Sequence, residues 1–462
     1  MTEGTEARVA VVGGGWAGCA AAVTLAAAGL SVTLIEQAPT LGGRARRVVQ
    51  HGIEVDNGQH VLLGAYQQTL ALLADVHRPS DADRLFRRLP LTLRPFGERR
   101  RGGFEFTAWK APSPLHIAAG LLSARGLSWH DRVALIAGFR RLASRGFRCG
   151  ADETVAQCFA ATPARAFAAI WEPLCLAALN TPPERASAQA FAHVLHAALA
   201  GTSRDSDVLV PTADLSACFP DAAARYITAR GGSVRSGITV RGIDELIDGV
   251  ALETSAGVET FAAAIVAVGP HQVANAVGDA AFARGTFRGP LARIAAFTYE
   301  SITTIYLGFA ARVPFSAPML RLDDAPGQWA FDRSSALGRE PAHGAASLIA
   351  VVISASGPHD TLDHASLARS VETQLRRLAP DLPAIVFSQV IAERRATYAC
   401  TPGLARPAAG RLAPGVYLAG DYTDAEFPAT LEAATRSGVA SARTLIADFA
   451  AGAAARGSIR AL

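Results

Sequence analysis

The chain has 462 residues, of which 50% are hydrophobic and 18% charged, a composition that excludes a disordered chain and allows two or more cores. The net charge of +4 is mild and no basic run exceeds Arg99–Arg101, so the basic stripe of a nucleic-acid-binding protein is missing, although a weak attraction to anionic lipid remains. The six cysteines include no C-x-x-C pair, so we expect reduced thiols, no disulfide framework and no metal site.

The first elements form a strand–helix–strand unit. The sequence predicts a buried parallel strand at Arg8–Val12, an alanine-rich helix at Trp16–Ala28 and a second strand at Ser31–Glu36. Residues 9–35 carry no charge and could pass for a membrane span or a signal segment. Three consecutive glycines interrupt that run early, so a strand, a turn and a helix explain it better.

The middle of the chain is largely helical, and strands become frequent after it. Helices are predicted at 66–76, 115–124, 130–144, 185–200, 214–230, 365–378 and 430–448. Strands are predicted at 233–240, 249–253, 263–268, 294–309, 348–354 and 416–419. Because helix-rich and strand-rich blocks interleave, we expect an α/β fold with discontinuous domains.

A glycine fingerprint lies between the first strand and the first helix. In Gly13-x-Gly15-x-x-Gly18 the glycines permit a tight turn, a close approach to a pyrophosphate and close helix–strand packing. The following helix N-terminus offers free N–H groups to the phosphates. Glu36, 18 residues after Gly18, is placed to bind a ribose hydroxyl. The residues assigned to a dinucleotide here, NAD or FAD, are Gly13, Gly15, Trp16, Ala17, Gly18 and Glu36.

Two further segments extend this assignment. The pair Gly42-Gly43 would let the backbone lie close to a bulky ligand, although an ordinary loop would also use it. Arg44 could meet a phosphate or a stacked ring. Farther on, Asp56–His60 contains a histidine that is either an acid–base group or a packed core or surface residue.

A second signature lies near the end of the chain. Gly420-Asp421 follows an apolar strand, which places a carboxylate where a polyol chain could pass. Pro428 then precedes a helix whose first residues include Thr430 and Leu431. The free N–H groups of that helix would face the negative charge that develops on a flavin during its reduction.

Together these motifs resemble the FAD-dependent amine oxidase and carotenoid desaturase superfamily. More specifically, Asp56–Gly64, Trp171–Thr181 and the stretch from Gly420–Thr423 to Leu431–Ala434 resemble the hydroxysqualene dehydroxylases, flavoproteins of bacterial hopanoid pathways. The similarity spans nearly the whole chain.

The resemblance implies bound FAD and replacement of an allylic hydroxyl of hydroxysqualene by hydrogen, which gives squalene. It adds Gly58, Gln59, His60 and Val240 to the cofactor contacts. It also implies a Rossmann-type FAD-binding domain of residues 1–66, 208–275 and 400–455, and a substrate domain of residues 67–207 and 276–399. Presqualene and hydroxysqualene synthases would act upstream, while the electron donor stays unidentified.

A long isoprenoid substrate stays in the bilayer, so we expect a cytoplasmic protein peripherally bound to the inner membrane. The amphipathic helices within 112–147 are the candidate docking surface, with apolar side chains turned inward or into lipid and basic ones toward headgroups. Packing of the apolar faces onto the core is the alternative. The side chains concerned are Leu115, Ile117, Leu121, Leu122, Arg125, Arg140, Arg141 and Arg145.

Several residues are candidates for the proton donor. Glu172, beside Trp171, could be an acid whose pKa is raised in an apolar pocket, and His60 is the second catalytic candidate. Tyr306 and Cys175 are further possibilities. His193 and His196 lie three positions apart on an apolar helix, and we expect packed histidines there rather than a metal site. Covalent attachment of the flavin to Cys400 is considered but not favoured.

Three other functions are compatible with the motifs. A polyene desaturase would run hydride transfer in the opposite direction, from carbon to oxidised flavin. An amine oxidase is disfavoured because no extra aromatic pair flanks a flavin motif. A prenyl-lipid carrier, as in Rab escort and GDP-dissociation proteins, would use the same fold without redox activity.

Overall fold

A computed structural model describes residues 8–82, 84–97, 103–278, 287–334 and 343–460, with side chains to residue 452. The Arg99–Arg101 triplet and residues 1–7 of the proposed FAD-binding segment lie outside the described residues.

The described strands are β1 (Arg8–Val12), β2 (Ser31–Glu36), β3 (Arg47–Gln50), β4 (Ile53–Asp56), β5 (Leu62–Leu63), β6 (Phe86–Leu89), β7 (Thr92–Leu93), β8 (Phe106–Thr107), β9 (Val208–Pro211), β10 (Ser233–Ser236), β11 (Val240–Leu246), β12 (Gly249–Thr254), β13 (Gly257–Phe261), β14 (Ala263–Val266), β15 (Tyr299–Phe309), β16 (Met319–Arg321), β17 (Trp329–Asp332), β18 (Ser347–Ser354), β19 (Ile385–Tyr398), β20 (Gly410–Ala413) and β21 (Val416–Leu418).

The described helices are α1 (Trp16–Ala27), α2 (Gln67–Val76), α3 (Pro79–Ala82), α4 (Leu115–Ser123), α5 (Trp129–Ser144), α6 (Val155–Cys158), α7 (Ala164–Ala166), α8 (Glu172–Leu179), α9 (Ala188–Leu199), α10 (Leu215–Cys218), α11 (Pro220–Thr228), α12 (Val273–Val277), α13 (Arg288–Ala295), α14 (His364–Leu378) and α15 (Leu431–Arg460). A π-helical turn joins α7 to α8, and none of these helices combines the length and apolar character needed to cross a bilayer.

A six-stranded sheet carries both glycine signatures. Its order is β10-β2-β1-β14-β21-β20, parallel except for the antiparallel pair β20–β21. Val9–Val12 is buried on both faces of the sheet, which explains its continuous β-branched composition. Because β1, β14 and β21 are parallel neighbours, their carboxyl ends share one edge, where ligands bind in open α/β sheets.

A five-stranded antiparallel sheet of order β16-β17-β18-β15-β19 faces the cavity described below. Its side chains alternate between two environments, as the two-residue period of a strand requires. Ile305, Leu307 and Val351 pack with α14, whereas Tyr306 and Val352 belong to the core on the opposite face.

A buried ion pair joins this sheet to the β3–β4 hairpin. Arg333, just after β17, lies 3.1 Å from Asp56 at the end of β4, and each side chain is 2% exposed. Arg333 also donates to the Pro211 carbonyl, and Asp56 accepts from the Leu215 amide. Burial raises the pKa of Asp56 to about 6 against the opposing charge of Arg333. The Asp56–Gly64 signature therefore begins with a structural carboxylate.

Most predicted elements are present within a few residues of their expected bounds, and the α/β fold is confirmed. Three differ. The predicted helix 214–230 is broken at Phe219, since Pro220 lacks the N–H that a continuing helix needs. The predicted strand 233–240 divides between two sheets, and the first part of 294–309 is helix α13. The fourteen-residue strand β19 was not predicted.

The strands of each sheet come from distinct parts of the chain. The six-stranded sheet uses residues 8–36, 233–236, 263–266 and 410–418, and the five-stranded sheet uses residues 299–398. We retain as a proposal the division into an FAD-binding domain (1–66, 208–275, 400–455) and a substrate domain (67–207, 276–399).

Candidate active site

One cavity of about 1330 Å³ runs from the first glycine turn to the helices α4, α5, α8 and α9. Its polar end lies at the carboxyl edge of the six-stranded sheet. It is lined by most of the residues that the sequence assigned to a cofactor: Gly13, Gly15, Trp16, Ala17, Glu36, Gly42, Gly43, Arg44, Gly58, Gln59, His60, Val240, Gly420, Asp421, Thr430 and Leu431. Gly18 lies behind this lining.

The three glycines of the first fingerprint have different geometries. Gly13 has a φ of +104°, which favours glycine, and a Cβ on Gly18 would lie 1.8 Å from the Gly13 carbonyl oxygen. A Cβ on Gly15 would meet nothing within 4 Å and would project into open space. The turn therefore has a cradle that a side chain at Gly15 would fill, as a pyrophosphate site requires.

Glu36 is held rigidly beside this turn. Its two carboxylate oxygens accept hydrogen bonds from the backbone amides of Gly14, at 2.6 Å, and Ala38, at 2.8 Å. Each oxygen keeps acceptor capacity, since a carboxylate offers about four lone-pair sites. The buried carboxylate is thus positioned to accept a further bond from a ribose hydroxyl.

An ion pair connects the two signatures directly. Arg44 donates to Asp421 Oδ1 at 2.8 Å and to the Ala396 carbonyl at 2.6 Å. Burial alone would lower the pKa of Arg44, but the charge of Asp421 and its hydrogen bond raise it. The sequence assigned these two side chains separately to a phosphate or ring and to a polyol. The structure brings them together at the cavity wall.

The N-terminus of α15 also faces the cavity. The hydroxyl of Thr430 accepts from the Ala433 amide and so caps the helix, while Glu432 turns away to bind Thr69. Thr430 and Leu431 line the cavity, so the positive end of the helix dipole is directed toward it.

His60 and Gln59 occupy the wall between the two ends. His60 Nδ1 lies 3.0 Å from the Gly58 carbonyl oxygen, which can only accept, so Nδ1 carries the proton of the neutral ring and Nε2 is unprotonated. Burial lowers the pKa of His60, more than the Gly58 bond raises it. Gln59 Oε1 is buried without a partner among the described residues, so a bound ligand could satisfy it.

The remaining catalytic candidates do not line the cavity. Burial and the charges of Asp324 and Glu184 raise the pKa of Glu172, in the expected direction, but its carboxyl lies outside the cavity lining. The assignment of Glu172 as the proton donor stays a prediction, which the cavity lining does not support. Tyr306 donates to the Asp56 carbonyl, and Cys175 donates to the Thr181 carbonyl.

Three residues that the sequence analysis set aside also lie elsewhere. His193 is half-buried and contacts Gln189, whereas His196 is exposed with its ring edge-on to Phe147. Cys400 is buried, and its thiol does not line the cavity, which gives no support to covalent flavin attachment.

Sequence reasoning missed a polar group near Arg44. His271 follows β14, and Glu393 and Arg395 come from the unpredicted strand β19; all three line the cavity. Burial, then the charges of Arg395 and Arg44, lowers the pKa of His271. His271 could have been found from its position after β14, which is a parallel strand beside the glycine turn.

The opposite end of the cavity is apolar and aromatic. Trp171 stacks on Phe159 with ring centroids 4.1 Å apart, and Trp329 comes from the five-stranded sheet. The lining at this end includes Ile117, Leu121, Leu135, Phe139, Ile170, Trp171, Leu174, Phe191, Leu195, Trp329 and Phe331. Such a wall suits an elongated apolar ligand.

The fold is that of a doubly wound nucleotide-binding sheet, and its cavity joins a glycine turn to an apolar, aromatic end. The chain belongs to the flavin containing amine oxidoreductase family, whose sequence profile matches residues 16–446. It is accordingly a flavin-dependent oxidoreductase.

Two sequence relatives and one solved structure align with nearly the whole chain. The hydroxysqualene dehydroxylase of Rhodopseudomonas palustris is 27% identical, over 95% of this chain and 98% of that protein. The hydroxysqualene dehydroxylase of Sinorhizobium fredii is 25% identical, over 93% and 96%. A solved oxidoreductase from Methanosarcina mazei has a TM-score of 0.71 at 15% identity, over 94% of this chain and 98% of that one, and shares the fold.

We expect Gly15→Leu to abolish flavin binding and leave the fold intact. Gly15 has φ −70° and ψ 179°, which any residue adopts, so the new side chain would fill the cradle without straining the backbone. The measurement is the flavin absorbance of the purified protein and its reconstitution with FAD. Gly289→Leu, on α13 and outside the cavity lining, is the matched control; a G15L protein with full flavin content would contradict the assignment.

Proposed function

We propose that the chain binds FAD and reductively removes the allylic hydroxyl of hydroxysqualene to give squalene. The observation that carries this proposal is a single cavity that joins the dinucleotide turn to an aromatic, apolar chamber. The two hydroxysqualene dehydroxylases that align along almost the whole chain support the substrate.

The reaction exchanges a C–O bond for a C–H bond. When bound, reduced FAD would supply the hydride, and a proton delivered by the protein would join the departing hydroxyl, so that the products would be squalene and water. The chain's own contribution is to hold the isoprenoid, exclude solvent and deliver the proton. The aromatic faces of Trp171, Phe191 and Trp329 line the chamber and can stabilise positive charge that develops on the allylic carbons.

We propose His60 as the proton donor. Of the candidates considered from sequence, it alone lines the cavity, and its unprotonated Nε2 is free to take up a proton and pass it to the leaving hydroxyl. Because its pKa is lowered, the imidazolium is a minor species at neutral pH and a correspondingly strong acid.

The proposed docking surface is an apolar patch on and beside α4 and α5, formed by Trp109, Leu115, Leu122, Trp129 and Val133, all exposed. Trp109 is fixed across α4 by a hydrogen bond from its indole to Ser123, and Arg132 of α5 donates to the Leu122 carbonyl.

The opposite faces of the same two helices line the chamber. Ile117 and Leu121 of α4 and Phe139 of α5 line the cavity. These side chains therefore pack inside the protein, and the exposed side chains of the same helices are the ones that we propose to enter lipid. Exposed basic residues accompany the patch, namely Lys110, Arg125, Arg140, Arg141 and Arg145. An anionic bilayer matches both the apolar patch and these charges.

The free energy of transferring the proposed substrate into water favours its uptake directly from the membrane. Transfer of a ~30-carbon isoprenoid into water costs on the order of 20 kcal/mol, at about 0.8 kcal/mol per carbon. Direct passage from the bilayer to the chamber avoids that cost. We therefore propose peripheral association with the inner membrane.

The decisive experiment reduces the bound flavin without oxygen and then adds hydroxysqualene. We expect flavin reoxidation and squalene formation in equal amounts, measured by absorbance and by product mass. Absence of reoxidation would refute the dehydroxylase. Reduction of oxidised flavin by phytoene or squalene would instead indicate a desaturase, and a colourless protein indifferent to FAD would indicate a prenyl-lipid carrier.

The pH profile tests His60. Since the acid form is the donor, kcat/KM should rise as pH falls toward the lowered pKa of His60. We expect His60→Gln to remove this rise and reduce the rate by about 100-fold or more, the usual contribution of a general acid. His193→Gln, outside the cavity lining, is the control. An unchanged profile in H60Q would exclude the role.

Vesicle sedimentation tests the apolar patch. We expect Trp109→Ala combined with Trp129→Ala to weaken binding to anionic phospholipid vesicles by at least about tenfold, because two aromatic side chains lose their burial in lipid. Ile247→Ala is the matched control, since Ile247 is also fully exposed but lies beside β11. Equal binding by the double variant and the control would refute this surface.

A further inference from the structure

A second cluster of reactive side chains lies outside the cavity, just beyond the end of α5. The sulfurs of Cys149 and Cys158 and a carboxylate oxygen of Glu153 all lie within 4.8 Å of one another. It is the one such group of potential metal ligands in the described part of the chain. Spacing does not predict this cluster, because the cysteines are nine positions apart rather than in a C-x-x-C pair.

The backbone holds each of the three residues in place. The Cys149 amide donates to Gln189 of α9 at 2.9 Å, and the Cys158 amide donates to the Thr154 carbonyl within α6. Glu153 accepts from the Gly150 amide at 2.9 Å, a bond that orients its carboxylate. Only side-chain rotation is therefore needed to close the group around an ion.

We propose that Cys149, Glu153 and Cys158 bind one divalent metal ion of the zinc class, with water as the fourth ligand. The three ligand atoms lie within 4.8 Å of one another, so a point within about 2.8 Å of all three exists, and small side-chain movements bring them to zinc–sulfur and zinc–oxygen bond lengths of about 2.3 and 2.1 Å. Two thiolates favour a soft or borderline ion over magnesium or calcium.

The charges around the cluster agree with this assignment. Both thiols are half-buried, and together with Glu153 they offer three ligand atoms within reach of one ion. Arg145 lies 3.6 Å from Glu153 and is about half exposed. Two thiolates and one carboxylate balance a divalent cation together with this arginine.

The ion would act on the wall of the substrate chamber. Phe147, two residues before Cys149, packs against Phe139 and His196, with ring centroids 5.9 and 4.8 Å apart. Phe139 lines the cavity. A metal at Cys149 would fix the loop that follows α5 and with it this aromatic contact.

The test titrates the reduced full-length protein with Zn²⁺ against a chromophoric chelator, and with Co²⁺, whose thiolate complexes give sulfur-to-cobalt charge-transfer absorption. We expect one ion per chain. Cys149→Ser, Cys158→Ser and Glu153→Gln should each weaken binding, the serine variants by at least about 100-fold, beyond the 10–100-fold typical of outer-shell changes. Asp152→Asn, an exposed neighbouring acid, is the matched control and should bind normally.

Thermal unfolding separates loss of the site from loss of the fold. Without metal, the serine variants should melt with the parent protein, and added Zn²⁺ should raise the melting temperature of the parent alone. Equal Zn²⁺ affinity in the parent and in C149S/C158S would overturn the proposal. So would a Cys149–Cys158 disulfide in the purified protein that, once reduced, leaves a chain unable to bind either ion.

Discussion

The ion pair between Arg44 and Asp421 is the interaction on which the cofactor end of the molecule depends. It joins residues 377 positions apart, and Asp421 is almost fully buried. A buried charge is costly unless it is paired, so each side chain fixes the other. The pair consequently ties the segment after β2 to the end of β21, where the second signature lies. Parallel strands β1, β14 and β21 supply the common edge, and the ion pair sets the distance across it.

A second buried ion pair joins the β3–β4 hairpin to the five-stranded sheet. Asp56 and Arg333 are fully buried and bind backbone groups of Leu215 and Pro211 as well as each other. Replacing one partner would leave the other charge unpaired in a medium of low dielectric constant. The residues just after Asp56, including Gln59 and His60, then enter the cavity wall. The chain thus uses one segment both to join two sheets and to approach the ligand.

The sequence predicted what depends on short-range pattern. The first strand, turn and helix, Glu36, and the Thr430–Leu431 helix start all follow from local spacing. Strand β19 was not predicted because much of it is exposed on one side. Glu393 and Arg395 lie on this strand and were therefore not predicted as cavity residues. The expectation that the Glu172 carboxyl faces the cavity was not met, for a different reason. Adjacent helical residues point about 100° apart, so a carboxylate next to cavity-lining Trp171 turns away from the cavity.

Helices α4 and α5 impose the last constraint. One face of each is packed into the chamber wall, while the other exposes apolar side chains, so neither face can be made polar without loss. A surface helix usually turns its apolar stripe to the core and its polar side to water, so exposed apolar side chains on α4 and α5 depart from that pattern. This arrangement leaves a wall one helix thick between the chamber and the exposed patch. The exposed patch and the cavity lining on these two helices are thus both rich in apolar side chains.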